Sequence, residues 1–288
     1  MYKFVYIILN FKTYQYTIQL VNELTKCVNN DSLVLVVDNA SPNESFKVLL
    51  HTFQDYTNVE IIQSNENGGF AKGNNFGLRY AEKFSPQYVC IINNDVHFDN
   101  ELVDRLALIY EKLPDAGVIA PIQYLPSGQM ARFRSLEYPT FIKDCLEYIL
   151  WPSISKYHMY IDNFKTPGAQ PVYIIPGAFM FTNYLNFKKM GFFCEETFLF
   201  GEERFVGAYA KKNGFQNYII LNETYLHEHG KTIQSEKSNR QKDKLIYEGR
   251  KLFARLIRKD NVIQLTILNI CYHVYLLRMF ILSKINKH

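Results

Sequence analysis

Carboxylates that could bind a ligand follow two apolar runs in the first hundred residues. Asp38 comes directly after the run Leu33–Val37, and Asp95 comes shortly after the run Tyr88–Ile92. A carboxylate in such a place accepts hydrogen bonds from a nucleobase or a ribose, or it holds Mg²⁺ or Mn²⁺, whose remaining ligands are phosphate oxygens and water. Taken one at a time, each residue has a structural alternative, which is an Asx turn at Asp38 and a capping role at Asp95.

A glycine-rich stretch, residues 65–77, lies between these two carboxylates. Glycines let a ligand approach the backbone closely, and a helix N-terminus attracts a phosphate or a base edge, although such a turn alone is weak evidence. No glycine occurs before Gly68. That absence excludes an N-terminal dinucleotide-binding fingerprint and argues against a sugar nucleotidyltransferase, which would be expected to carry a glycine-rich, basic loop after its first strand.

The elements that would position these residues alternate along the chain. Tyr2–Leu9 and Val59–Gln63 are further apolar runs of strand length, and Thr13–Asn29 has helical spacing. The alternation predicts a parallel sheet with helices on its faces. Ligands of such sheets bind at the carboxyl ends of the strands, so Asn10, which follows the first run, is expected in the site as well.

Beyond residue 100 the pattern is less regular. Residues 101–113 have helical spacing, and residues 114–170 carry six prolines, which indicate loops and short strands. Val172–Phe181 is strand-like around a Pro-Gly pair. The second half therefore predicts a mixed region rather than a clear repeat of strand and helix.

The C-terminal segment is basic. Residues 231–288 contain 13 Lys or Arg against 4 Asp or Glu, whereas the whole chain has a net charge of +4. From Ser238 to Lys259 the apolar residues fall on one helical face, and the other face is predicted to carry Arg250, Lys251, Arg255, Arg258 and Lys259. An acidic body with a basic tail disfavours nucleic acid as a partner and favours an anionic membrane surface.

The run Val262–Leu282 is long enough to span a bilayer. Gln264, Asn269, His273 and Arg278 interrupt it, and a charge near the centre of a span is costly. A helix that lies at the membrane interface or packs on a partner is therefore favoured over a spanning helix. The sequence also leaves open a homodimer that forms through this helix.

The composition fits a folded intracellular protein. Of the 288 residues 48% are hydrophobic and 21% are charged, which allows a sizeable core. The five cysteines are widely spaced, and the N-terminus lacks the small-residue cleavage site of a signal peptide. We therefore expect a reduced, cytoplasmic compartment.

Six segments together resemble the inverting family-2 glycosyltransferases of the GT-A fold, in particular their rhamnosyltransferase-like branch. These segments are Val37–Ser41, Asn67–Gly77, Asn93–Asp95, Pro176–Met180, Met190–Glu203 and His227–Thr232. The resemblance covers about residues 2–259, so only the last thirty or so residues lie outside it.

The resemblance implies an α/β fold with a mostly parallel central sheet and flanking helices. The glycosyltransferase domain would occupy residues 1–230, with a donor-binding half at about 1–112 and an acceptor-binding half at about 113–230, and residues 231–288 would form a helical extension. The implied reaction moves a sugar from dTDP-rhamnose or a UDP-hexose to a glycan or lipid-linked glycan, in bacterial surface polysaccharide synthesis at the inner face of the cell membrane.

The resemblance also implies roles for individual residues. Glu203 would be the catalytic base, with Glu202 as the alternative, and Asp95 and His227 would bind Mg²⁺ or Mn²⁺. The donor would be bound by Asn10, Asp38, Asn39, Asn67, Gly68, Gly69, Lys72, Asn74, Asn93 and Asn94.

Three positions depart from the family pattern. Cys194 and Glu203 stand where Asp is usual, and Phe205 stands where a second Asp is common. Glu203 still offers a carboxylate, with one more methylene of reach. The departures leave open a non-catalytic relative that assembles with partners at the membrane.

Overall fold

The computed structural model describes residues 2–26, 31–131, 136–150, 168–228 and 238–285. Its first half alternates strands and helices, close to the predicted bounds. The elements are β1 (Phe4–Asn10), α1 (Tyr14–Thr25), β2 (Ser32–Asp38), α2 (Ser45–Phe53), β3 (Val59–Gln63), α3 (Gly69–Ala81), a 3₁₀ turn (Glu82–Phe84) and β4 (Tyr88–Asn93). The central strands are apolar along their length because helices cover both of their faces.

The second half adds strands in both directions. Its elements are β5 (Val96–His97), α4 (Leu102–Tyr110), β6 (Ala116–Tyr124), α5 (Phe141–Leu150), β7 (Ala169–Val172), β8 (Phe179–Asn183), α6 (Tyr184–Met190), α7 (Glu202–Lys212) and β9 (Gln216–His227). The sheet order is β3-β2-β1-β4-β8-β6-β9-β5, with β7 paired to β9. Strands β1 to β4 are parallel, whereas β8, β5 and β7 pair antiparallel, so the expected mostly parallel sheet holds for the first half and only approximately for the whole.

The sheet separates two apolar cores. Side chains of β1 alternate between them, with Tyr6 and Ile8 packed towards α1, α2 and α4, and Val5 and Ile7 packed towards α3, α6 and α7. The alternation fixes the register of the strand, since a shift by one residue would exchange the two faces.

The structure corrects two expectations for residues 114–181. The proline-rich part contains a nine-residue strand, β6, in which Pro121 is accommodated at a shift in register against β9. It also contains α5, a ten-residue helix that the sequence did not predict. The strand-like run Val172–Phe181 is divided between β7 and β8, because Pro176 and Gly177 interrupt it.

The C-terminal extension is helical and packs on the body of the protein. It comprises α8 (Asn239–Phe253), a π-helical turn (Ala254–Arg258) and α9 (Val262–Ile285). Helix α9 packs on α5 and α8 through a buried cluster of Cys145, Tyr148, Tyr247, Leu268, Cys271, Tyr272 and Tyr275. By length and composition, Val262–Lys284 could also cross a membrane, which is weak evidence that it does so.

The polar residues that interrupt the apolar run are bonded within the chain. Gln264 caps α9 together with Asn261, Asn269 accepts a hydrogen bond from Tyr247 at 2.8 Å, and Arg278 donates to the carbonyl of Ile149 in α5. These contacts favour a helix that lies against its own protein.

The predicted basic face needs a correction. Arg250 is only 4% exposed and the Arg258 side chain only 5%, because both guanidinium groups turn inward to carboxylates. Lys251, Arg255 and Lys259 do face solvent. The exposed charge of this segment is therefore smaller than its sequence indicates.

Candidate active site

The carboxyl ends of β1 and β2 meet in a hydrogen-bonded cluster. Asn10 donates to Asp38 Oδ1 over 2.8 Å, and Asp38 Oδ2 accepts from the backbone N–H of Ser41 at 3.0 Å and from Gln63 at 3.1 Å. Both oxygens of Asp38 are engaged, and the residue is fully buried. The structure thus places Asp38 behind the surface of the site, where it joins the strand ends, and its contact with a donor stays a prediction.

Asn39 and the glycine-rich stretch form the next part of this edge. Asn39 Nδ2 donates to Asn67 Oδ1 and to the carbonyl of Gly69, each over 3.0 Å. Gly69 has a φ of 78°, and a Cβ added there would lie 2.0 Å from the carbonyl oxygen of Phe198. The same carbonyl accepts a hydrogen bond from Phe70 N at 2.8 Å. Only glycine fits, and the loop before α3 is thereby fastened to the loop before α7.

Three other predicted donor contacts are less well placed. Lys72 is about half exposed and pairs with Glu66 at 3.2 Å, and Gly68 lies against the Lys72 side chain. Asn74 is 1% exposed inside α3 and donates to the carbonyl of Phe70. Of the ten residues predicted to bind the donor, only Asn93 lines the cavity described below.

Asp95 and His227 are brought together, as the sequence predicts. The short strand β5 pairs with the end of β9, which places His227 Nε2 3.0 Å from Asp95 Oδ1, and both residues are buried. Asn94 lies beside them but donates to Thr13 and Thr17, so it anchors the turn after β4. The motif predicted to continue beyond His227 to residue 232 lies mostly outside the described residues.

Glu202 and Glu203 begin α7. Glu203 Oε2 accepts a hydrogen bond from Gly201 N at 3.2 Å, and its Oε1 would lie 2.8 Å from a Cβ added to Gly177, so glycine leaves the room for this carboxylate. Glu202 is 3% exposed, and its Oε2 has no hydrogen-bond partner among the described residues.

The two carboxyl groups titrate differently. Burial raises the pKa of Glu202 well above its ordinary value, and the neighbouring charge of Glu203 adds to the effect. Burial also raises the pKa of Glu203, but hydrogen bonds from backbone N–H groups and the charge of Arg204 oppose the rise. The pair therefore favours a neutral Glu202 beside an ionised Glu203.

A cavity of about 450 Å³ lies between the sheet edge and the start of α7. Its lining includes Asn93 and His227 from the sheet edge, Glu202 and Glu203 from α7, and Phe70 from α3. Helices α5 and α8 complete the wall with Lys143, Asp144, Glu147, Ile246 and Arg250. Helix α8 crosses the α7 loop so closely that a Cβ on Gly249 would lie 2.4 Å from the carbonyl of Phe200. The extension is thus part of the cavity wall.

A buried ion-pair network underlies this wall. Arg204 donates to both oxygens of Asp144, at 2.8 and 3.0 Å, and Arg258 donates to Asp144 as well. Arg250 bonds Glu147 and lies 3.8 Å from Asp144. Burial alone would raise the pKa of Asp144, yet the three arginines outweigh it and lower the pKa to about 2. Arg204 follows Glu203 directly, so the network connects the α7 N-terminus to the extension.

Sequence reasoning missed this network because it missed α5. A signal was present: residues 140–151 contain no proline, and Ile142, Cys145, Leu146 and Ile149 have helical spacing. Asn75 was missed too; it bonds both backbone groups of Phe193, at 2.9 and 3.0 Å.

The fold and the site define a glycosyltransferase-like protein of the GT-A class. The parallel first half of the sheet ends at Asn93, the mixed second half ends at His227, and both residues line one cavity with the carboxylates at the start of α7. The sequence profile of glycosyl transferase family 2 matches residues 7–185, and the chain belongs to that family. The predicted family is confirmed.

Two curated relatives are distant. The chain is 22% identical over 205 residues to the N-acetylglucosaminyl-diphospho-decaprenol L-rhamnosyltransferase of Mycobacterium tuberculosis, covering 67% of this chain and 66% of that protein. It is 24% identical over 179 residues to the low-salt glycan biosynthesis hexosyltransferase Agl10 of Haloferax volcanii, covering 59% and 50%. The chain thus spans less than two thirds of the length of these relatives.

Solved structures show the same fold. A mannosyltransferase from Pyrobaculum calidifontis, PcManGT, in complex with GDP-Man and Mn²⁺, matches with a TM-score of 0.59 at 14% identity, over 95% of this chain and 69% of that one. S. aureus TarS 1-349 in complex with UDP-GlcNAc matches with a TM-score of 0.54 at 16% identity, over 90% and 74%. The GT-A fold expected from the sequence is confirmed.

Proposed function

We propose that this protein transfers a sugar, with inversion, from a nucleotide-sugar donor to a lipid-linked glycan at the inner face of the cell membrane. The observation that carries the proposal is one cavity lined both by His227, which contacts Asp95, and by Glu203. Family membership and the names of the two curated relatives support a glycosyl donor and a polyprenyl-linked acceptor. The donor is dTDP-rhamnose or a UDP-hexose, in line with those names.

Glu203 acts as the base in this proposal. An inverting transfer needs a carboxylate that takes the proton of the acceptor hydroxyl while that oxygen attacks the anomeric carbon. Glu203 is ionised more readily than Glu202 because backbone N–H groups and Arg204 stabilise its charge. Glu202, buried and neutral, adds no second negative charge beside the base. The structure thus favours Glu203 over the alternative Glu202.

Asp95 and His227 fit a divalent cation. Asp95 Oδ1 and His227 Nε2 lie 3.0 Å apart, and a carboxylate oxygen and an imidazole nitrogen are both donor atoms that would hold such an ion. Among the described residues no group of three or more acidic, His or Cys side chains could hold a metal, so most ligands would come from the donor diphosphate and water. Bound there, Mg²⁺ or Mn²⁺ would offset the charge of the departing nucleoside diphosphate.

The test is binding followed by turnover. We expect UDP-hexoses or dTDP-rhamnose with Mn²⁺ to raise the melting temperature of the full chain, and the matching donor to glycosylate a synthetic diphospho-polyprenyl acceptor. Glu203→Gln should keep donor binding and lose transfer. If no nucleotide sugar binds and none is hydrolysed, the non-catalytic assembly partner becomes the better description. A sugar nucleotidyltransferase would instead form a nucleotide sugar from a nucleoside triphosphate and a sugar phosphate.

A further inference from the structure

The exposed hydrophobic surface of the protein is concentrated on two helices. Thirteen of the twenty large hydrophobic side chains that are well exposed among the described residues lie on α5 and α9. On α5 they are Ile142, Leu146, Ile149 and Leu150, and on α9 Val262, Ile263, Ile267, Ile270, Val274, Leu277, Phe280, Ile281 and Leu282. These two helices hold only 34 residues of the chain, so the concentration marks an interaction surface.

Helix α9 is apolar on two opposite faces. Leu268, Cys271, Tyr272 and Tyr275 face the protein, while a second stripe recurs every three or four residues on the outer side. This stripe consists of Ile263, Ile267, Ile270, Val274, Leu277 and Ile281. It extends over five helical turns, about 27 Å at 1.5 Å per residue. One face is occupied by α5 and α8, and the other has no partner among the described residues.

Helix α5 has three faces: one packs on α9, one lines the cavity, and one is exposed. Cys145 and Tyr148 pack on α9, Lys143 and Glu147 line the cavity, and Ile142 and the other exposed apolar residues face outward. The cavity is therefore separated from the exposed apolar surface by a single helix, which is about 10 Å wide.

The apolar faces of the two helices lie side by side. Arg278, at the edge of the outer stripe of α9, donates to the carbonyl of Ile149, whose own side chain is 42% exposed. The C-terminal end of α5 is thus held next to the outer stripe, and the two faces form one surface, called here the α5–α9 surface.

The positive charge of the extension favours an anionic bilayer over a second copy of the chain as the partner of this surface. Although Arg250 and Arg258 are buried in ion pairs, the described part of the extension still exposes Lys244, Lys251, Arg255 and Lys259. A second copy of the chain would bring the same positive charge beside itself, whereas a bilayer that contains anionic lipid offers the opposite charge. Burial of apolar side chains at the acyl boundary and attraction by the headgroups then act together.

The contacts of α9 with the body argue against a span. If α9 crossed the bilayer alone, it would leave Tyr148 and Tyr247 without their packing partners and break the hydrogen bonds from Tyr247 to Asn269 and from Arg278 to Ile149. A helix that stays in the plane of the interface keeps all of these contacts.

We propose that the α5–α9 surface inserts into the interfacial layer of an anionic bilayer without spanning it. Helix α5 then forms the wall between the lipid and the cavity. The inference rests on the proposed function in one respect, the lipid-linked acceptor: its lipid stays in the bilayer while its glycan reaches Glu203 around α5.

The test is cosedimentation of the full chain with vesicles of phosphatidylcholine and phosphatidylglycerol in a 7:3 ratio. Leu146→Glu in α5 and Ile270→Glu in α9 should each weaken vesicle binding at least tenfold, because each places a charge in the acyl boundary. Leu185→Glu is the matched control, since Leu185 is 68% exposed on α6, away from this surface, and it should bind as the parent does. Equal binding by all four proteins would overturn the proposal.

Two further measurements exclude the other occupants. A dimer of the parent in solution that Ile270→Glu converts to a monomer would show that a second copy covers the surface. A Ser283→Cys chain added outside sealed vesicles should react with a membrane-impermeant maleimide more than the parent chain does; protection would show a span and overturn the proposal. Nucleoside diphosphate binding, measured separately on each variant, should be unchanged. Loss of this binding would contradict the proposed function, whereas unchanged vesicle binding by the variants would contradict the membrane surface alone.

Discussion

Asp144→Asn would reveal whether the C-terminal extension is structurally joined to the active site. Asp144 is fully buried and faces Arg204, Arg250 and Arg258. These arginines lower its pKa from 3.8 to about 2 in spite of burial, which corresponds to roughly 2 to 3 kcal/mol at neutral pH. Asn keeps the size but leaves the three arginines with one negative charge fewer, and breaking a buried pair costs about 3 to 5 kcal/mol. We expect unfolding in urea to show a loss of about 3 kcal/mol.

The pH dependence gives the sign of the effect. The folded pKa of Asp144 is lowered, so its stabilising contribution is complete above about pH 4 and is lost as the pH falls towards 2. The stability gap between parent and variant should be constant from pH 5 to 7 and should narrow below pH 4. Glu137→Gln is the control, because Glu137 pairs with Lys143 at an exposed position, and it should cost less than about 1 kcal/mol. The reasoning is refuted if the two variants cost the same.

Three further predictions concern the site. Glu203→Gln should lower kcat about 10²-fold or more at nearly unchanged donor affinity. In the parent, kcat/KM should fall as the pH decreases, with a midpoint above the ordinary pKa of Glu, because burial raises the pKa of Glu203. A larger loss of kcat for Glu202→Gln would assign the role of base to Glu202. Asp95→Ala should abolish Mn²⁺-dependent binding of nucleoside diphosphate, measured by calorimetry, while the circular dichroism spectrum stays unchanged. Gly69→Ala should lower the melting temperature more than Gly214→Ala, since both have a φ near 78° but a Cβ at 214 meets no atom within 4 Å; equal losses would exclude the clash with Phe198.

Local sequence patterns were sufficient for the first half of the fold. The apolar runs predicted β1 to β4 to within two residues at either end, because a strand buried on both faces must be apolar along its length. The strand ends then led to Asn10, Asp38 and Asp95. The pattern could not show which of these side chains face a ligand. The carboxylate of Asp38 accepts hydrogen bonds from Asn10 and Gln63, each about 25 residues away or more in the sequence.

Contacts between distant segments account for what sequence reasoning missed. Arg250 and Arg258 have the spacing of an exposed basic face, but their partner Asp144 lies more than 100 residues earlier in the chain. It lies on α5, within the proline-rich stretch that was predicted to form loops and short strands. Helix α9 has apolar residues on both sides, so its periodicity indicates burial without indicating which side is buried. Only the assembled structure shows that one side packs on α5 and the other remains exposed.

The contact between Asp95 and His227 also has a consequence for biosynthesis. The two residues are 132 positions apart, so Asp95 leaves the ribosome long before His227 is made. The nascent chain can complete the parallel strands β1 to β4, but it cannot form this pair until β9 has been synthesised and has paired with β5. A chain released early, or one whose β9 has not docked, would therefore be folded in part and lack the pair. The pair can therefore form only late in synthesis, and the extension that completes the cavity wall follows it in the chain.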